Sequence, residues 1–155
     1  MRRCARGFTL LELLVVMVIA GITLGLVSFN AMPSERQVLQ NEAQRVALLL
    51  QLARDEAIVR NRPVAVDIDG YGYRFWIRDD NKTWVPFTGD DMLRERQFNR
   101  APLGVSIDPP TVERGQTLRI VFGREPVDRP FALSFSMGNS QSVIRADGIG
   151  NFAVE

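Results

Sequence analysis

Histidine is absent from the 155-residue chain, and cysteine occurs once, at Cys4. Without histidine, the usual Ser-His-Asp triads and imidazole general bases cannot be assembled. A single cysteine rules out a disulfide framework and a Cys/His zinc site within one chain. No G-x-G-x-x-G or Walker pattern accompanies Gly70-Tyr71-Gly72, so that run reads as a turn rather than a phosphate loop. Internal repeats and low-complexity segments are also missing. Charge is nearly balanced, with 19 basic and 18 acidic residues giving a formal net charge of +1. Arg2, Arg3 and Arg6 precede the first apolar run, and the remainder is slightly acidic. That is a poor match to the clustered Lys and Arg of nucleic-acid binders. Most enzyme classes drop out, and no catalytic residue, cofactor, metal or nucleic-acid partner is expected.

What the chain does have is a long apolar start. Residues 8–29 form a run of about 22 residues, or ~33 Å as a helix, enough to cross a bilayer core. Three arginines before the run place the N-terminus in the cytoplasm and everything after Asn30 across the membrane. A cleaved secretory signal fits badly, since no A-x-A site follows and the run exceeds an ordinary h-region. A lipoprotein signal would set its cysteine after the apolar stretch, whereas Cys4 precedes it. A plain anchor explains length and orientation but not Glu12, because an acid at the centre of a membrane helix costs roughly 2.5 to 3.5 kcal/mol.

The segment Arg6-Gly7-Phe8-Thr9-Leu10-Leu11-Glu12 resembles the class III, or type IV prepilin, signal. The resemblance implies that a prepilin peptidase cuts between Gly7 and Phe8, that Phe8 is then N-methylated, and that Glu12 becomes the fifth mature residue. The new Phe8 amine is a cation near neutral pH. It would offer Glu12 a partner in a low-dielectric layer, on the same subunit or a neighbour. Removing the leader would also remove Cys4.

Beyond the run, Pro33 favours a kink or a fresh helix start, with Ser34 and Gln37 as a capping-box-like pair. Leu39, Ala43, Val46, Leu50, Ala53 and Ala57 share one helical stripe, and Leu49 and Ile58 widen it. Glu42, Arg45, Arg54, Asp55 and Arg60 fall mostly off it. The alanines suit packing on a sheet better than a coiled-coil seam, and Pro63 ends the helix. Short strands are expected at 64–68, 71–77, 83–87, 104–107, 117–122, 131–136, 142–146 and 151–154, separated by Gly, Pro, Asp and Asn. Residues 89–100 read as a polar loop or short helix. Asp67/Asp69, Asp79/Asp80 and Asp90/Asp91 miss the D-x-[DN]-x-[DN]-G calcium pattern, and turn formation explains them better. Tyr71, Tyr73, Phe75, Trp76 and Trp84 read as packing residues.

Residues 48–66 (LLLQLARDEAIVRNRPVAV) and 144–155 (IRADGIGNFAVE) resemble the H-type minor pseudopilins of type II secretion, the GspH-like family. The fold this implies is α+β and pilin-like: a long N-terminal spine helix, with a membrane half and an amphipathic half, packed on antiparallel β sheet. Four segments follow: a removed leader at 1–7, a transmembrane and filament-core helix at 8–30, an amphipathic half at 31–62 and a periplasmic β-rich body at 63–155. The implied role is structural, in a pseudopilus that supports export of folded proteins across the outer membrane. Implied partners are other major and minor pseudopilins, the prepilin peptidase and the inner-membrane assembly platform. The implied location is the bacterial inner membrane, single-pass, and then the pseudopilus. A FimT-like minor pilin of type IV pili, acting in adhesion or DNA binding through Arg94, Arg96, Arg100, Arg114 and Arg119, is the alternative.

Overall fold

The computed structural model describes residues 9–29, 34–110, 113–114 and 117–155. Gly7, Phe8 and Pro33, on which three of the expectations rest, lie outside those residues. The chain divides into two compact units, Met1–Ser34 and Glu35–Glu155. The first contributes α1 (Leu10–Phe29). The second holds α2 (Glu35–Val59) and ten strands: β1 (Val64–Ile68), β2 (Gly72–Arg78), β3 (Trp84–Pro86), β4 (Arg96–Gln97), β5 (Gly104–Asp108), β6 (Glu113–Arg114), β7 (Thr117–Phe122), β8 (Phe131–Met137), β9 (Ser140–Ala146) and β10 (Phe152–Val154).

Ser34 stands at the N-cap position of α2, and Asn61 takes a left-handed backbone just beyond its end (φ 52°). The expected stripe is buried, from Leu39 through Ala43, Val46, Leu50 and Ala53 to Ala57. Small alanines bring the helix close to the strands it covers, among them β1, β8, β9 and β10. The sheet, not a second helix, receives it.

Two antiparallel sheets follow. One runs β3-β2-β1-β7-β6, with β4 also paired to β2; the other runs β10-β9-β8-β5. β1 was expected to have one apolar face, yet all five of its residues are buried. It lies centrally, pairing Val66 with Phe75 of β2 and with Ile120 of β7. Its second face is covered too, because Asp67 is bonded to Arg119 and the Arg119 guanidinium lies 5.9 Å from the Trp76 ring and 5.6 Å from the Trp84 ring. The 89–100 segment departs furthest from expectation. It carries β4 and sends Leu93 and Phe98 into the core, with Phe98 5.7 Å from both Tyr73 and Phe135.

Two charged residues placed off the helical stripe are in fact buried: Glu42 at 3% exposure and Arg54 at 8%. Glu42 has replaced its hydration with fixed partners and Arg54 has done so in part, its Nε being buried without a hydrogen-bond partner among the described residues. Glu42 accepts from the Asn99 side-chain amide at 2.8 Å and pairs with Arg45. Arg54 donates to the Pro126 carbonyl and lies against Gly150, where an added Cβ would come within 2.6 Å of its Nη1. Glycine at 150 is required by its backbone (φ +118°), and a side chain there would also displace the Arg54 guanidinium.

Candidate functional site

Three places on the chain have the chemistry or shape to act: the apolar helix, an open groove on the body, and the arginines that were candidates for a basic patch.

α1 is apolar on every side, and Leu10, Leu11, Leu13, Leu14 and Met17 are all more than half exposed. Over the residues whose side chains are described, which end at Gly25 in this helix, none is long and apolar enough to cross a membrane. The helix as a whole runs 20 residues, about 30 Å. Its one mid-helix hydroxyl, on Thr23, is satisfied within the helix by the Ile19 and Ala20 carbonyls at 2.9 and 3.0 Å. Gly21 and Gly25 lie one turn apart with nothing within 4 Å of where a Cβ would sit. That leaves room for another helix to approach closely.

Glu12 sits in the first turn of this helix. Its backbone N–H donates to the Thr9 hydroxyl at 3.3 Å and to the Thr9 carbonyl at 3.1 Å. Thr9-Leu10-Leu11-Glu12 is thus a T-x-x-E helix start, a signal that was present in the sequence and went unread there. A carboxylate at this point also meets the positive end of the helix dipole. Glu12 therefore has a local reason for its position, whatever stands beside it.

On the body, an open groove of about 860 Å³ is lined by Trp84, Ile107, Pro109, Val121, Arg129 and Phe131 among others. Arg119, which also lines it, is joined to Asp67 by two hydrogen bonds of 2.6 Å. The bond to Asp67 raises the Arg119 pKa further, against a smaller opposing effect of burial. The pair leaves this part of the groove electrically neutral.

The same pairing takes Arg119 out of the basic patch that the FimT-like alternative would use. The Arg119 side chain is 11% exposed and committed to Asp67. Arg96 is half-buried, Arg94 and Arg100 are exposed, and the Arg114 side chain lies outside the described residues. The acidic pairs are likewise employed elsewhere. Asp69 caps the turn into β2 by accepting from Tyr71 and Gly72, Asp79 accepts from Thr83, and Asp80 pairs with Arg62 at 2.5 Å.

Comparison with known proteins agrees with this arrangement. The family model described as "Type II transport protein GspH" matches residues 42–150, and that for the "Prokaryotic N-terminal methylation motif" matches residues 2–28. Type II secretion system protein H of Pseudomonas aeruginosa is 38% identical over 90 residues, 57% of this chain and 52% of that protein. Its namesake from Aeromonas hydrophila is 32% identical over 95 residues, 59% of this chain and 51% of that one. The chain spans about half the length of these curated relatives. Among solved structures, the minor pseudopilin EpsH of the type 2 secretion system of Vibrio cholerae superposes with a TM-score of 0.58 at 20% identity, covering 76% of this chain and 95% of that one. GspH of E. coli does so with a TM-score of 0.57 at 17% identity, covering 78% and 91%. At such identities the likeness shows the fold, an α+β, pilin-like one.

Proposed function

Because the chain belongs to the GspH family of type II transport proteins, we propose that it is a structural minor pseudopilin with no catalysis of its own. The observation that carries this reading is the union, on one chain, of a GspH body over residues 42–150 and an N-terminal methylation motif over residues 2–28. A prepilin peptidase cuts between Gly7 and Phe8, and Phe8 is methylated. The helix of residues 8–30 first anchors the chain in the inner membrane, with the N-terminus cytoplasmic and the body of residues 63–155 periplasmic. It then passes into a short filament with the other pseudopilins, through the assembly platform.

The physics of the helix supports such a transfer. Lipid tails and neighbouring apolar helices are similar solvents for Leu, Val and Ile, so exchanging one for the other is nearly neutral in free energy. The exception is Glu12, whose carboxylate gains a partner only where an amine stands beside it. Filament growth would push folded cargo toward the outer membrane.

Deletion of the chain from its own bacterium tests the proposal. Folded exoproteins should accumulate in the periplasm, wild type should restore their release, and Gly7→Ala should not. Intact-mass measurement of the membrane-bound wild type should show residues 1–7 gone and one methyl group added. Met1 still attached would overturn the prepilin reading. Lost piliation with normal secretion would transfer the chain to the FimT-like alternative.

A further inference from the structure

Beside the Glu42 anchor, three polar atoms are buried without a hydrogen-bond partner among the described residues: Nε of Arg45, the hydroxyl of Tyr73 and Nε of Arg96. They belong together. The Arg45 guanidinium lies 5.7 Å from the centre of the Tyr73 ring. Tyr73 and Arg96 are direct cross-strand partners of β2 and β4, so their side chains leave the same face of the sheet. Tyr73 is only 3% exposed, and a buried hydroxyl with no partner costs about 1–3 kcal/mol. Burial pushes its pKa up while Arg45 and Arg96 pull it down, the net direction being upward. At neutral pH it is therefore an O–H donor. Arg45 comes close enough to act on that hydroxyl, which keeps its own O–H free to donate.

The charges do not balance within the cluster. Glu42 answers Arg45, and it also accepts from the Asn99 amide. Arg96 has no ion-pair partner among the described residues, so one positive charge is left over. The Arg45 side chain is 33% exposed, so the cluster reaches the surface at that residue.

We infer that Arg45, Tyr73 and Arg96 form a carboxylate-binding site, whose ligand is an acidic side chain or a C-terminal carboxylate of another protein chain. The guanidinium fork of Arg96 suits a planar carboxylate, and the Tyr73 hydroxyl adds a third donor from the side. The ligand's charge follows from the surplus: a carboxylate matches one positive charge, whereas a phosphate group near neutral pH carries about −1.5 to −2. This inference stands on the body alone and holds whether the filament is a pseudopilus or a pilus.

The test uses the full chain in detergent micelles, titrated at constant ionic strength with acetate, inorganic phosphate or chloride. Side-chain ¹⁵N resonances of arginine and the thermal midpoint are the readouts. Acetate should shift the Arg96 Nε signal saturably and raise the midpoint, and Arg96→Gln should weaken that response about tenfold or more. Tyr73→Phe should fold with an unchanged or higher midpoint in the absence of acetate, since it removes an unsatisfied hydroxyl, and should still lose affinity for acetate. Comparing N-acetylglycine with N-acetylglutamate α-amide then separates a chain end from a side chain, the tighter ligand naming the source. A stronger response to phosphate than to acetate overturns the carboxylate assignment. No saturable response to any anion, or an undiminished one in Tyr73→Phe and Arg96→Gln, overturns the site.

Discussion

Asp67 and Arg119 meet across β1 and β7 through two 2.6 Å hydrogen bonds, with side chains 10% and 11% exposed. At that burial the pair's value lies in its completeness, because either charge alone would be stranded. Asp67→Ala or Arg119→Ala should each cost about 3 kcal/mol, while a matched apolar pair such as Asp67→Val with Arg119→Met should recover most of that loss. Urea unfolding of wild type, Asp67→Ala, Arg119→Ala and Asp67→Ala with Arg119→Ala closes a double-mutant cycle that shows the coupling, and the apolar pair is measured beside it. Asp147 shows the opposite economy, being fully exposed. Its carboxylate accepts from the backbone of Ile149, Gly150 and Asn151 and from the Asn151 side chain. These bonds, led by that from Ile149, hold its pKa below the ordinary value. A lowered folded-state pKa stabilises above the unfolded value, near 4, and that contribution is lost as pH falls through the folded one. Asp147→Asn should accordingly flatten the acid limb of the thermal midpoint below about pH 4 and leave its shape near pH 7 unchanged. Roles like these were only partly legible in advance. Asp69 and Asp79 were readable as turn formers from their neighbours. Glu42 and Arg54 were not, since their partners, Asn99 and Pro126, are 57 and 72 residues away in sequence.

Among the elements, α2 was the most legible, because a 3.6-residue stripe needs no tertiary information to be seen. Its alanines set the distance to the strands. Ala53, fully buried, has no room to grow, so Ala53→Leu should destabilise the body by about 1–3 kcal/mol through overpacking. Leu48→Ala, on the exposed side of the same helix, should change stability by less than about 0.5 kcal/mol in the isolated chain. Thermal unfolding of the two variants side by side provides the check. The strands with alternating residues and Gly or Asp turns, β1, β2 and β7 to β10, were readable to within about two residues at their ends. β4 and β6 were not, at two residues each, because such short strands have too few positions to show a period. Leu93 and Phe98 were missed for a related reason. Phe98 stands alone in a polar stretch and Leu93 has only the exposed Met92 beside it, and only the position of β2 and its neighbours decides that they point inward.

At the scale of the whole molecule, the core residues from Leu39 to Ile144 all belong to the Glu35–Glu155 unit, so the body completes its own hydrophobic interior. Substitutions in α1 should then alter assembly while leaving the body's folding intact. Glu12→Val should insert, be cut and be methylated, yet co-purify with the filament several-fold less than wild type. Equal co-purification would show that Glu12 acts only at the local helix start described above. The methylation motif matched over residues 2–28 was legible because it is a short linear pattern, and the body's arginine cluster was not because it exists only after folding. The contacts of α2 also set an order in time. Its stripe is covered in part by β1, which follows it directly, and otherwise mainly by β8, β9 and β10, which lie far downstream in the sequence. During synthesis, therefore, the helix emerges long before most of its cover, and the body can close only once β8 to β10 have been made. In that interval the apolar stripe of α2 is open to whatever stands nearby, and a chain cut before residue 131 would keep most of it uncovered.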